Sequence, residues 1–106
     1  MKNKPGDQIL DIFLEQMRHR LGVHLKQVIL FGSRARGDFE AESDYDCLAI
    51  VDEVSPVIDT IIDEIASELL YHHNAVFSIF PVSVEKYQAD RFEPLLINAR
   101  KEGVVL

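Results

Sequence analysis

The sequence predicts an α/β fold, a single domain over residues 1–106 with a small mixed β-sheet packed against helices. Two long segments repeat apolar residues every three or four positions, the period of a helix with one buried face. Three short runs rich in β-branched and aromatic residues lie between and after them. Glycine, proline or serine stands at most changes of pattern.

In chain order, residues Asp7 to Leu21 read as the first helix. Ile9, Leu10, Phe13, Leu14, Met17 and Leu21 fall on one face, and Gly22 is the expected stop. Gln27 to Phe31 (QVILF) reads as a buried strand that ends at Gly32-Ser33. Asp44 to Val51 (DYDCLAIV) reads as a second strand. Ser55-Pro56 supplies an N-cap and a first-turn proline for a helix running to about His73. Its expected buried stripe is Ile58, Ile61, Ile62, Ile65, Leu69 and Leu70, with Asp59, Asp63, Glu64 and Glu68 facing water. Ala75 to Val82 (AVFSIFPV) reads as a third strand. Pro81 places it at a sheet edge or near a strand end, because proline has no N–H to donate. A short helix is expected from Ser83 and another from about Pro94 to Lys101. The final VVL suits a small last strand.

Bulk properties narrow the function. The chain is 47% hydrophobic and 27% charged, an ordinary globular mixture. No apolar run approaches the roughly 18 residues of a membrane span, and MKNKPGDQIL makes a poor signal peptide. The single cysteine, Cys47, excludes an internal disulfide and fits a reducing compartment, so the expected location is the cytoplasm. A net charge of −7 argues against non-specific nucleic-acid binding. It still allows a nucleotide whose phosphates are screened by a metal, and it suits a basic protein partner.

The stretch FGSRARGDFEAESDYDCLAIV, residues 31–51, carries the chemistry. Side chains two apart on a strand point the same way, so Asp44 and Asp46 present two carboxylates on one face. Like charges so placed repel unless a cation lies between them or one is protonated. Mg²⁺ suits the pair, since it prefers oxygen donors and often takes one or two carboxylates plus substrate phosphates. Glycine at position 32 lets a ligand approach the backbone. Ser33 offers a hydroxyl and amides to a phosphate, and Arg34 and Arg36 stand beside it. With the two strands as neighbours, a phosphate-binding turn faces a metal-binding pair: a nucleoside triphosphate site. Each arginine reads equally well as a surface or partner-binding residue. His72 and His73 read as helix-end histidines, and Cys47 as a small buried hydrophobe.

GSRARG followed by SDYDCLAIV resembles the signature of the DNA polymerase beta-like nucleotidyltransferase superfamily: G-S, about ten residues, then D-x-D between apolar residues. The short chain is similar to the minimal nucleotidyltransferase (MNT) domains, the MntA-type antitoxins that pair with HEPN-domain proteins. The resemblance is strongest over residues 28–51 and extends to the ending NARKEGVVL. It implies Mg²⁺-dependent transfer of AMP from ATP to an acceptor hydroxyl. Gly32 and Ser33 would hold the triphosphate, with Arg34 and Arg36 beside them. Asp44 and Asp46 would be the catalytic carboxylates and would bind one or two Mg²⁺.

The family pattern also has a third carboxylate on the third strand, often the base for the acceptor. Here Ser78 is expected at that position, and no Asp or Glu lies in Ala75 to Val82. Either a partner supplies the group, or Glu102 or Asp38 approaches from elsewhere, or the activity is weak or lost. A chain of 106 residues leaves little surface for an acceptor site, which favours a macromolecular acceptor. By resemblance that is a tyrosine of a HEPN partner, in a hetero-oligomeric toxin–antitoxin pair. The alternative is a nucleotidyltransferase-like binding module that neutralises its partner by covering it. A third reading is a small-molecule transferase completed by another subunit.

Overall fold

A computed structural model describes residues 7–106. Residues 1–6, part of the expected domain and of the stretch read against a signal peptide, lie outside the described residues. The elements are α1 (Gln8–Leu21), β1 (Leu25–Phe31), α2 (Ser33–Arg36), β2 (Tyr45–Val51), α3 (Pro56–His73), β3 (Phe77–Ser83), α4 (Val84–Ala89), α5 (Pro94–Glu102) and β4 (Val104–Val105), with a 3₁₀ turn at Gly22–His24.

The strands form one sheet in the order β3-β2-β1-β4. β1 runs antiparallel to β2 and β4, whereas β2 and β3 are parallel. The sheet is therefore mixed, as expected, and Pro81 sits on an edge strand where a missing N–H costs no ladder bond on the open side. Helices cover both faces. On one, α1 and α3 pack Phe13, Met17, Ile62, Ile65 and Leu69 against Leu30, Cys47, Ala49 and Val51. On the other, Leu96 and Ala99 of α5 meet Ile29, Phe31, Leu48, Ile50 and Val82. Each fully buried large side chain contributes about 1.5–3 kcal/mol. Among the described residues, no helix is long and apolar enough to cross a membrane.

Local chemistry sets the boundaries. The Asp7 carboxylate accepts from the Ile9 amide at 2.8 Å and the Leu10 amide at 3.3 Å, so Asp7 is the N-cap of α1 rather than its first helical residue. Ser55 accepts from the Ile58 amide at 3.2 Å, and Pro56 opens α3. Asn74, with φ of 52°, ends α3, and the Ala75 amide turns back to the Leu69 carbonyl. The third strand therefore starts at Phe77, two residues later than expected. Leu70 departs from its expected burial: it is 51% exposed. The stripe Ile58, Ile62, Ile65, Leu69 already fills the contact face, and the next residue is turned about 100° away.

The join between α5 and β4 is sterically tight. A Cβ at Gly103 would lie 2.1 Å from the Ala99 carbonyl oxygen and 2.4 Å from Ile29 Cγ2. Its φ of −69° suits any residue, so the constraint is space alone. Gly103→Ala is expected to destabilise the protein by about 1–3 kcal/mol, the usual range for overpacking. Urea unfolding would read this as a lower midpoint with an unchanged slope.

Candidate functional site

The register of three strands builds the site. Phe31, the last residue of β1, lies opposite Asp46 of β2, and Asp46 in turn lies beside Ser78 of β3. Alternation sends Tyr45 and Cys47 toward α1 and α3. Asp46 shares the opposite face with Leu48 and Ile50, the face that α5 covers. The expected strand began at Asp44. The observed one begins at Tyr45, whose amide donates to the Val76 carbonyl at 2.9 Å. Strand alternation therefore fixes Asp46 only, and Asp44 sits exposed on the last residue of the approach loop.

Gly32 turns the chain away from β1 with φ of 76°, a conformation that favours glycine. A Cβ there would also lie 2.5 Å from Asp46 Oδ2. The residue thus answers two demands, left-handed backbone and close approach of a carboxylate. Ser33 opens α2, and Gly37, with φ of 86°, closes the turn through its amide to the Ser33 carbonyl at 2.9 Å.

The charge at this corner is unbalanced. Burial holds the half-buried Asp46 carboxyl above its ordinary pKa, and the neighbouring charges of Asp44 and Glu102 push it the same way. Arg36 opposes them. Such a donor set, carboxylate oxygens with a surplus of negative charge, fits a hard cation. No group of three or more His, Cys, Asp or Glu among the described residues converges as a metal cage. A cation here would rely on the two aspartates together with oxygens that a substrate brings.

The two arginines have different surroundings. Arg34 is built into the fold, with its side chain 9% exposed. Its Nε donates to the Ser43 carbonyl at 2.9 Å and its Nη2 to the Ala41 carbonyl at 3.1 Å. Its guanidinium lies 3.8 Å from the Tyr45 ring centroid and 4.7 Å from that of Phe39. Tyr45 in turn donates its hydroxyl to Asp7 at 2.7 Å, and burial first, then that carboxylate, lifts its pKa to about 12. Arg36 is half-exposed. It donates from Nε to Asp38 at 3.1 Å and from Nη1 to Glu102 Oε2 at 3.0 Å. Glu102 Oε1 also accepts from the Gly32 amide at 3.0 Å.

The structure thus gathers Gly32, Asp46, Ser78, Arg36 and Glu102, with Asp44 close enough to act on Asp46. Ser78, the residue expected at the third-carboxylate position, lies beside Asp46 in the register of β2 and β3. Of the two acids weighed as substitutes, Glu102 comes to the corner and Asp38 is held by Arg36. The double role of Glu102 was not evident from the sequence, since only the fold brings a residue 70 positions away to Gly32. Cys47 is fully buried, and burial pushes its thiol up, as suits a small core residue. His72 and His73 are exposed at the end of α3.

A family model described as a nucleotidyltransferase domain matches residues 10–105. The Methanocaldococcus jannaschii protein named "putative protein adenylyltransferase MJ0604" is 34% identical over 94 residues, which is 89% of this chain and 90% of that protein. A second protein of that organism, "putative protein adenylyltransferase MJ1305", is 35% identical over 88 residues, 80% of this chain and 58% of its own length. Among solved structures, a mutant form of the toxin-antitoxin MntA-HpeT superposes with a TM-score of 0.68 at 14% identity, covering 93% of this chain and 72% of that one. A toxin-antitoxin crystal structure with AMP-PNP gives 0.66 at 16% identity, with the same coverage. At that identity these likenesses concern the fold.

Asp46 makes a signed prediction about stability. Its folded pKa is raised, so ionising it weakens the fold. The penalty is absent well below the unfolded pKa, grows as pH rises through the folded value, and is complete above it. Asp46→Asn is therefore expected to raise the melting temperature at pH 7. The gain should vanish as pH falls through the carboxylate range, which paired thermal melts at pH 7 and pH 3 would reveal.

Proposed function

This chain belongs to the nucleotidyltransferase domain family, and on that premise we propose that it transfers AMP from ATP to a hydroxyl of a partner protein. The acceptor in this reading is a tyrosine of a HEPN-type partner, and the chain is the antitoxin of a toxin–antitoxin pair in the cytoplasm. The observation that carries the proposal is the close approach of Gly32 to Asp46, with Asp44 acting on the same carboxyl. That proximity supports reading Gly32-Ser33 as a phosphate turn and the two aspartates as a cation-binding pair. The names of the Methanocaldococcus jannaschii relatives support a protein acceptor, and the toxin-antitoxin neighbours support a partner that is a toxin.

In this reading one minimal domain, residues 1–106, carries the donor site. Asp44 and Asp46 would hold one or two Mg²⁺, which would supply positive charge to neutralise the phosphates. The Gly32-Ser33 turn and Arg36 take the triphosphate oxygens. Arg34 acts through the loop it holds rather than on the phosphates. The acceptor oxygen bonds to the α-phosphorus, the bond to the bridging oxygen breaks, and pyrophosphate leaves. Ser78 cannot serve as an efficient base, so the acceptor's proton passes to a group of the partner or to solvent. A positioned base typically contributes on the order of 10²–10⁴ in rate, so its absence from β3 slows transfer and leaves nucleotide binding intact.

The same absence favours a second reading, a binding module that neutralises its partner by covering it. The two differ in what Asp44→Asn does to neutralisation. An enzyme loses it while the complex persists; a binder keeps both.

Calorimetric titration with ATP is expected to give binding that requires Mg²⁺ and weakens by at least about tenfold, 1.4 kcal/mol, in Asp44→Asn. ATP labelled at the α-phosphate should then mark the partner, and the mark should vanish in Asp46→Asn. Binding indifferent to Mg²⁺ and to Asp44 would sink the donor-site reading.

A further inference from the structure

The carboxylate of Glu102 deepens this reading, on which the following inference rests. It sits where the nucleotide site would receive an anion. Oε1 takes the Gly32 amide at 3.0 Å and Oε2 takes Arg36 Nη1 at 3.0 Å. An amide and a guanidinium presented together are the donors that a phosphate oxygen pair uses. They are matched here by a side chain of the protein itself. Glu102 also adds its negative charge to a corner that already holds Asp44 and Asp46.

We propose that Glu102 is a displaceable latch: it occupies the Gly32 amide and Arg36 in the nucleotide-free protein, and the triphosphate of ATP replaces it. Three features fit displacement better than a permanent brace. Glu102 is the last residue of α5, so its side chain can swing without unwinding the helix. The carboxylate is about a quarter exposed and Arg36 nearly half, so the pair is screened and weak enough to open. A triphosphate arriving beside a fixed Glu102 would meet a third carboxylate at close range, whereas one that expels it inherits both donors and faces one repelling carboxylate fewer. The backbone behind the latch is the part that stays fixed. Gly103 packs close on Ile29 of β1, and Leu96 and Ala99 seat α5 on the sheet. Regulation follows from the same arithmetic. A site closed by its own anion binds nucleotide with an affinity reduced by the fraction of time it is open. A partner that draws Glu102 onto a basic group of its own would raise nucleotide affinity on docking.

The test is titration of the full chain with ATP and Mg²⁺, comparing wild type with Glu102→Gln, Glu102→Asp and Asp44→Asn. Glutamine keeps an acceptor for the Gly32 amide but loses the charge that holds Arg36. Aspartate keeps the charge but is too short to span both donors. The latch predicts tighter binding in both, by about threefold to tenfold for Glu102→Gln and less for Glu102→Asp. A group that instead helps to hold the nucleotide or its cation, or merely braces the turn, predicts weaker binding in both. Equal or weaker binding in the Glu102 variants, with Mg²⁺-dependent binding in wild type that Asp44→Asn removes, overturns the latch and leaves the donor site standing. Absence of Mg²⁺-dependent binding in every protein, the two Glu102 variants included, overturns both. Should Glu102→Gln fail to fold, Glu102→Asp carries the comparison alone.

Discussion

A carboxylate kept half-buried among like charges is the constraint around which this protein is arranged. Asp46 gains nothing for the fold from its position, since burial and two neighbouring acids all disfavour its charge. A strand of seven residues with Leu48 and Ile50 deep in one core and Cys47 and Ala49 in the other holds it there regardless. Burial of those apolar side chains outweighs the electrostatic cost of one partly solvated carboxylate. Unfavourable local choices inside an otherwise consistent fold are where function is expected to lie.

Two arginines within four positions of Gly32 divide the remaining work. Arg34 faces inward. Its hydrogen bonds to Ser43 and Ala41 and its stacking on Tyr45 fasten the approach loop to β2, while Tyr45 ties the same point to the capping residue Asp7 of α1. One part-buried cation thereby links the start of the first helix, the turn and the loop that delivers Asp44. Arg36 faces outward, between Asp38 and Glu102, where a change of partner costs little. Rigid support behind the site and an exchangeable contact at its mouth come from the same short segment, SRAR.

Most of the fold could be read from the sequence because its elements announce themselves locally. The stripe of α1, the Ser55-Pro56 start of α3 and the edge placement of Pro81 depend on residues a few positions apart. Errors arose where a boundary depended on something farther off. Leu70 has the right period to be buried and lacks a neighbour to bury it. Asp44 alternates correctly with Asp46, yet the ladder starts at Tyr45 because Val76, thirty-one positions later, supplies its carbonyl. At the site, Gly32 and Asp46 could be paired from their spacing alone. The inward turn of Arg34 could not, since arginines at 34 and 36 look alike in one dimension and only the rings of Tyr45 and Phe39 distinguish them.

Ser78 is best understood through the same charge balance. It lies directly beside Asp46 in the parallel register, so a carboxylate there would be a fourth negative group at the corner with Arg36 the nearby cation acting on Asp46. With Glu102 already present, a serine at this position keeps the nucleotide-free corner tolerable. A chain that carried Asp at 78 and no acid at 102 would hold the same total charge, but on a strand, where it could not leave. Moving one negative charge from a rigid strand to the end of a helix turns a fixed feature of the site into one that can yield to a ligand. On the proposed reading, the cost is the position on β3 from which a base would act on the acceptor. In that reading the partner surface supplies side chains of its own to the reacting oxygen.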